Sequence, residues 1–159
     1  MQTLGQGKLE VLFIDYGSYT TVNAENLRKL PASLLQYEPS AKRCTLAYMK
    51  VPRKEKFQGP EADKYLRRYG LNKVHDAIVV EETNNLLSVI LVEEGEPDWS
   101  TSINAFMISE GLGSLDQDAL ADESCPEEVI EWQSYSDEAR EKLIGLWAND
   151  GNAAVSDDE

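Results

Sequence analysis

Cysteine and histidine are almost missing from these 159 residues, which hold Cys44, Cys125 and the single His75. The two thiols lie far apart and match no C-x-x-C spacing, so they read as buried or free thiols rather than a metal or redox pair. His75 has no partner at triad or zinc-site spacing and reads as a strand-end or surface residue. Long apolar runs are missing too. The longest candidate, "LLSVILV" at Leu86–Val92, is far short of the roughly 20 residues a bilayer-spanning helix needs, so no membrane partner is expected. The opening "MQTLGQGK" has neither the charged start nor the apolar run of a secretory signal, and a cytoplasmic setting, extended to the nucleus, is the expectation. Aromatic residues make up only 8% of the chain, yet Phe13, Tyr16 and Tyr19 crowd into one short stretch. Basic residues are scarce in the second half. There are 13 Lys and Arg against 8 Asp and Glu in residues 1–80, but 2 against 21 in residues 81–159.

The overall charge of −14 argues against phosphate binding, which relies on cations releasing counterions. The basic first half taken alone argues the other way, and fits either RNA or an acidic partner. An acidic half folded against a basic half and neutralising it would give the same composition. With 42% hydrophobic and 28% charged residues, the chain has the composition of an ordinary globular domain, or of a small domain joined to part of another.

Local patterns give an α+β order. "KLEVLFID" is rich in strand formers, "DYGS" is a turn in which Gly17 can take positive φ, and "YTTVNA" returns as the second strand of a hairpin. "AENLRKLP" suggests a short helical turn stopped by Pro31. "AKRCTLAYMKV" predicts a strand over 41–51 with Cys44, Leu46 and Tyr48 on one face. "GPEADKYLRRYG" has Pro60 early, Arg67 and Arg68 late and Gly70 as its stop, the punctuation of a helix. "AIVVEE" and "LLSVILVEE" around "TNN" predict a second hairpin. A helix follows over "WSTSINAFMISEGLG", with Ile103, Phe106, Met107 and Leu112 inward. The longest helix is predicted over 127–147, burying Val129, Trp132, Tyr135, Ala139, Leu143 and Trp147. The small, acidic residues 150–159 are expected to form a disordered tail.

Three motifs in this order carry a resemblance. "FIDYGS" followed by "LRKLP" resembles the signature of a Tudor domain. "NAFMISEGL" resembles a staphylococcal-nuclease-family helix of the form N-x-x-x-[VI]-x-x-G-[LH], and "DEAREKLIGLW" resembles that family's closing helix. Together they resemble the C-terminal extended Tudor region of the Tudor staphylococcal nuclease family. The resemblance implies a partial Tudor barrel, seen as a β-hairpin in residues 8–33, joined to a staphylococcal-nuclease-like OB-fold with C-terminal helices in residues 34–149. The family's barrel has five strands, so the remaining Tudor strands are expected from upstream sequence or another chain.

The resemblance also implies a function. In this family aromatic rings around the hairpin turn form a cage for methylated arginine, and by motif position Phe13 and Tyr16 take two cage places. Ser18 stands where the family often has Asn, and one hydroxyl cannot offer the two-headed amide. Phe13 and Tyr16 are three residues apart, so a straight strand would send them to opposite faces, and a bend near Asp15 is required. A plainly structural role fits the same residues, with Phe13 in the core and Asp15 tying down the turn. The expected partners are methylarginine-containing proteins. RNA is a second candidate, held by Lys50, Arg53, Lys54, Lys64, Arg67 and Arg68, with Tyr65 and Tyr69 available for stacking; the same charges also fit a solvated surface. No catalytic residues, metal or cofactor are expected in this chain, because no match to the nuclease family's catalytic set is found; nuclease activity is left to full-length relatives.

Overall fold

The computed structural model describes residues 2–3 and 7–148. The tail expected at 150–159 lies outside the described residues. The chain divides into two compact units, residues 1–44 with the hairpin tip 83–87, and residues 45–82 with 88–159.

In the first unit, strands β2 (Lys8–Phe13) and β3 (Ser18–Asn23) pair antiparallel from Lys8↔Asn23 to Phe13↔Ser18. A short strand β1 (Gln2–Thr3) pairs with the other edge of β2, so the predicted hairpin is the larger part of a three-stranded sheet in the order β1-β2-β3. Period-2 alternation puts Leu9, Val11, Thr20 and Val22 on one face, and all four are half-buried. The helical turn read in "AENLRKLP" is a 3₁₀ turn over Ala24–Asn26, with a second at Ala32–Leu34 just after Pro31.

The second unit is built on a sheet of β4 (Arg43–Leu46), β7 (Leu86–Glu93) and β6 (His75–Thr83), in the order β4-β7-β6. Asn84 and Asn85 both take positive φ, 52° and 60°, the backbone of a type I′ two-residue hairpin turn, so "TNN" is a turn for a stated reason. The strand predicted over 41–51 is broken. It stops at Leu46, Tyr48 turns with φ 61°, and β5 (Met49–Lys50) pairs instead with β8 (Ser114–Leu115). A side chain from a distant helix holds this break. Asn104 is fully buried, donates to the carbonyls of Ala47 and Val89 at 3.1 Å each, and accepts the Leu91 N–H at 3.2 Å.

Asn104 belongs to α2 (Ile103–Ser109), started by the Ser102 hydroxyl accepting the Ala105 N–H. The inward face of α2 is Ile103, Asn104, Met107 and Ile108. Phe106, expected inward, lies about 200° around the helix from Asn104 and is 47% exposed. The first long helix, α1 (Gly59–Tyr69), ends at Gly70 as its sequence punctuation indicates, and α3 is a single turn at Gln117–Leu120. The closing helix α4 (Glu127–Glu141) buries Val129, Trp132 and Ala139 around the core formed with Ile90, Val92, Met107 and Ile108.

The closing helix is shorter than predicted. It stops at Glu141, Leu143 takes φ 54° and stays exposed, and residues Gly145–Trp147 form a separate 3₁₀ turn. Gly145 explains the stop. Its φ is +59°, and a Cβ there would lie 2.3 Å from the Gly111 carbonyl oxygen, which accepts the Leu146 N–H at 2.8 Å. Two chain segments therefore meet backbone to backbone, as only glycine allows.

Candidate functional site

The turn between β2 and β3 is a four-residue loop, Ile14–Gly17. The Phe13 carbonyl accepts N–H bonds from Tyr16 at 3.1 Å and Gly17 at 2.8 Å, and Gly17 closes the loop with φ +71°. This tight reversal removes the geometric conflict between Phe13 and Tyr16. Tyr16 lies in the loop, outside the strand alternation, so the bend is the hairpin turn itself rather than a bulge in β2. Phe13 and Ser18 are cross-strand partners, and directly opposed residues share a face. By the same rule Tyr19, paired with Leu12, points to the other face, away from Phe13.

The loop is anchored from one side. The Asp15 carboxylate accepts the Ser40 N–H at 3.2 Å, and Ala41 N–H donates to the Ile14 carbonyl at 3.1 Å. Asp15 thus has the turn-tying role open to it from its sequence position. Phe13 does not have the core role, since it is 49% exposed, and Tyr16 is 85% exposed. Burying a Phe side chain is worth roughly 1.5–3 kcal/mol. A held loop that leaves Phe13, Ile14 and Tyr16 exposed together forgoes much of that, as a binding surface does.

The six cations named as nucleic-acid candidates are unevenly free. Lys50 contacts Asp116 at 2.7 Å and Asp118 at 3.5 Å; Lys54 and Arg67 share Asp63 at 3.2 and 3.0 Å; Lys64 contacts Glu61 at 3.6 Å. The hydrogen bond from Lys50 holds Asp116 below the usual carboxylate range, and those from Arg67 and then Lys54 do the same to Asp63. Arg53 and Arg68 are in no ion pair among the described residues. Lys73, outside the six, is likewise free and lies 5.3 Å from the Tyr69 ring centroid, close to Arg68 at 5.4 Å from the same ring. Among the described residues no group of three or more His, Cys, Asp or Glu side chains could hold a metal ion.

Residues 1–48 match the family model for the Tudor domain. The whole chain superposes on the extended Tudor domain of Drosophila melanogaster Tudor-SN (p100) with a TM-score of 0.76, covering 92% of this chain and 66% of that one at 22% identity. This is a Tudor-domain chain with the extended Tudor fold. Extended Tudor domain TD3 of mouse TDRD1, solved in complex with a MILI peptide containing dimethylarginine 45, aligns with a TM-score of 0.62 and 25% identity over 72% of this chain and 59% of that one. Among curated proteins, Ribonuclease TUDOR 1 of Arabidopsis thaliana is 29% identical over 156 residues, which is 88% of this chain but 15% of the relative. The chain therefore spans a small part of the length of that relative. The motif-based resemblance to the Tudor staphylococcal nuclease family and the α+β extended Tudor fold both stand. Sequence periodicity missed Ile14 and Phe106 as exposed apolar residues. Pairing register and helix phase, the signals for them, depend on where each element starts.

Proposed function

We propose that the protein binds peptides carrying methylated arginine at the β2–β3 turn, as a non-catalytic interaction module of an RNA-regulatory protein acting in RNA silencing, in the cytoplasm and also the nucleus. The observation that carries the reading is the exposed pair Phe13 and Tyr16 on an anchored Tudor loop. A ring face attracts a cation, and methyl groups thin the hydration shell of the guanidinium, so each ring contact contributes roughly 0.5–2 kcal/mol. Ser18, opposite Phe13, supplies one hydroxyl to the guanidinium edge. The dimethylarginine peptides bound by extended Tudor domains of TDRD1 support the ligand class.

The test is a calorimetric titration of a symmetrically dimethylated arginine peptide and its unmodified control. The modified peptide is expected to bind more tightly, and Tyr16→Ala to weaken it by about three- to thirtyfold, the loss of one ring contact, with no change in melting temperature. Equal affinity for the two peptides would remove the reading.

A further inference from the structure

The second unit carries a cleft of about 870 Å³, within the range of small-ligand sites. Its apolar lining includes Leu91, Ile103 and Leu112. Tyr65 and Tyr69, one turn apart on α1, line it with their ring centroids 4.4 Å apart, and the half-exposed Phe106 of α2 lines it as well. Arg68 and Lys73 lie over the Tyr69 ring and, among the described residues, neither is paired with a carboxylate. Glu61 is engaged by Lys64, while Glu93 and Glu110 line the same cleft as open acceptors.

This arrangement is not a second cation cage. The face of Tyr69 already has two cations of the chain itself near it, and both would repel an incoming one. Their charge favours an anionic group, the rings favour a planar ring system, and the two glutamates can accept hydrogen bonds from hydroxyl or amino groups. We infer that the cleft between α1 and α2 binds a nucleoside monophosphate unit, with the phosphate against Arg68 and Lys73 and the base against the aromatic side chains. The same unit occurs as a free nucleotide and within single-stranded RNA. The site does not depend on the Tudor hairpin, and Lys50, Lys54 and Arg67, already held by carboxylates, are outside its lining.

The test is titration of the full chain with UMP, AMP, uridine and a short oligouridylate, followed by amide chemical-shift mapping. UMP is expected to saturate and to move the resonances of Tyr65, Tyr69 and Phe106. Uridine, without the phosphate, is expected to bind about tenfold or more weakly, and the exposed double variant Arg68→Ala/Lys73→Ala to lose the preference for UMP. Phe106→Leu, which keeps an apolar side chain, is expected to weaken both nucleotides while leaving the fold intact. Oligouridylate much tighter than UMP identifies RNA as the source, and equal affinity identifies the free nucleotide. Tyr16→Ala is expected to leave nucleotide binding unchanged, which separates this site from the peptide site. No saturation at millimolar UMP, or UMP and uridine binding alike to wild type and double variant, would overturn the inference.

Discussion

Ser18 is the residue on which the peptide reading turns most finely. It pairs with Phe13 across the hairpin, so an amide in its place would lie on the same face as the ring. Replacing it by Asn adds a donor and an acceptor at the guanidinium edge, and one further hydrogen bond contributes about 0.5–1.5 kcal/mol. Ser18→Asn is therefore expected to tighten the dimethylated peptide severalfold in a fluorescence-anisotropy competition, and to do nothing in a Tyr16→Ala background. The importance of Phe13, Tyr16 and Ser18 was legible in the sequence because the "FIDYGS" motif fixes their spacing. Their exposure was not. Exposure depends on what packs above the turn, and Asp15 meets Ser40 from 25 residues away.

At the scale of elements, local chemistry set most of the starts and stops. The Asn84–Asn85 turn, Pro60 near the start of α1 and the Ser102 cap all act within a few residues of themselves. The exceptions are the broken strand at Ala47–Tyr48 and the shortened α4, where a remote group decides. Asn104 makes three hydrogen bonds to β4–β5 and β7 backbone in a site without solvent. Asn104→Leu keeps the volume but leaves the Leu91 N–H and the Ala47 carbonyl unpartnered. It is expected to cost about 2–4 kcal/mol, read as a lower denaturation midpoint in urea at unchanged slope. A loss no larger than that of an exposed helix residue would show that the break is held by other contacts.

On the scale of the whole molecule, charge is the property to follow. The basic and acidic halves of the sequence do meet, since Lys50 is bound by Asp116 and Asp118, while Lys54, Lys64 and Arg67 find their acids nearby in the first half. Asp116 and Asp63 are held low by these hydrogen bonds, and Asp98 and Asp122 by the hydroxyl and N–H groups of Ser100 and Ser124. A carboxylate with a depressed folded-state pKa contributes its full stability above the ordinary aspartate value and loses it as pH falls through the depressed one. The melting temperature is thus expected to fall as the solution is acidified below about pH 4, and Asp116→Asn to show a shallower acid limb than wild type in scanning calorimetry. The sequence alone determined the Tudor turn, the α+β order and the family motifs, because capping, turn geometry and residue spacing are local and survive without a partner. Only the tertiary structure decided that Phe106 points out, that α4 stops at Glu141 and that Arg68 and Lys73 share a cleft with two stacked tyrosines. Those outcomes depend on backbone approach and side-chain contact between segments far apart in the chain, and no local preference encodes them.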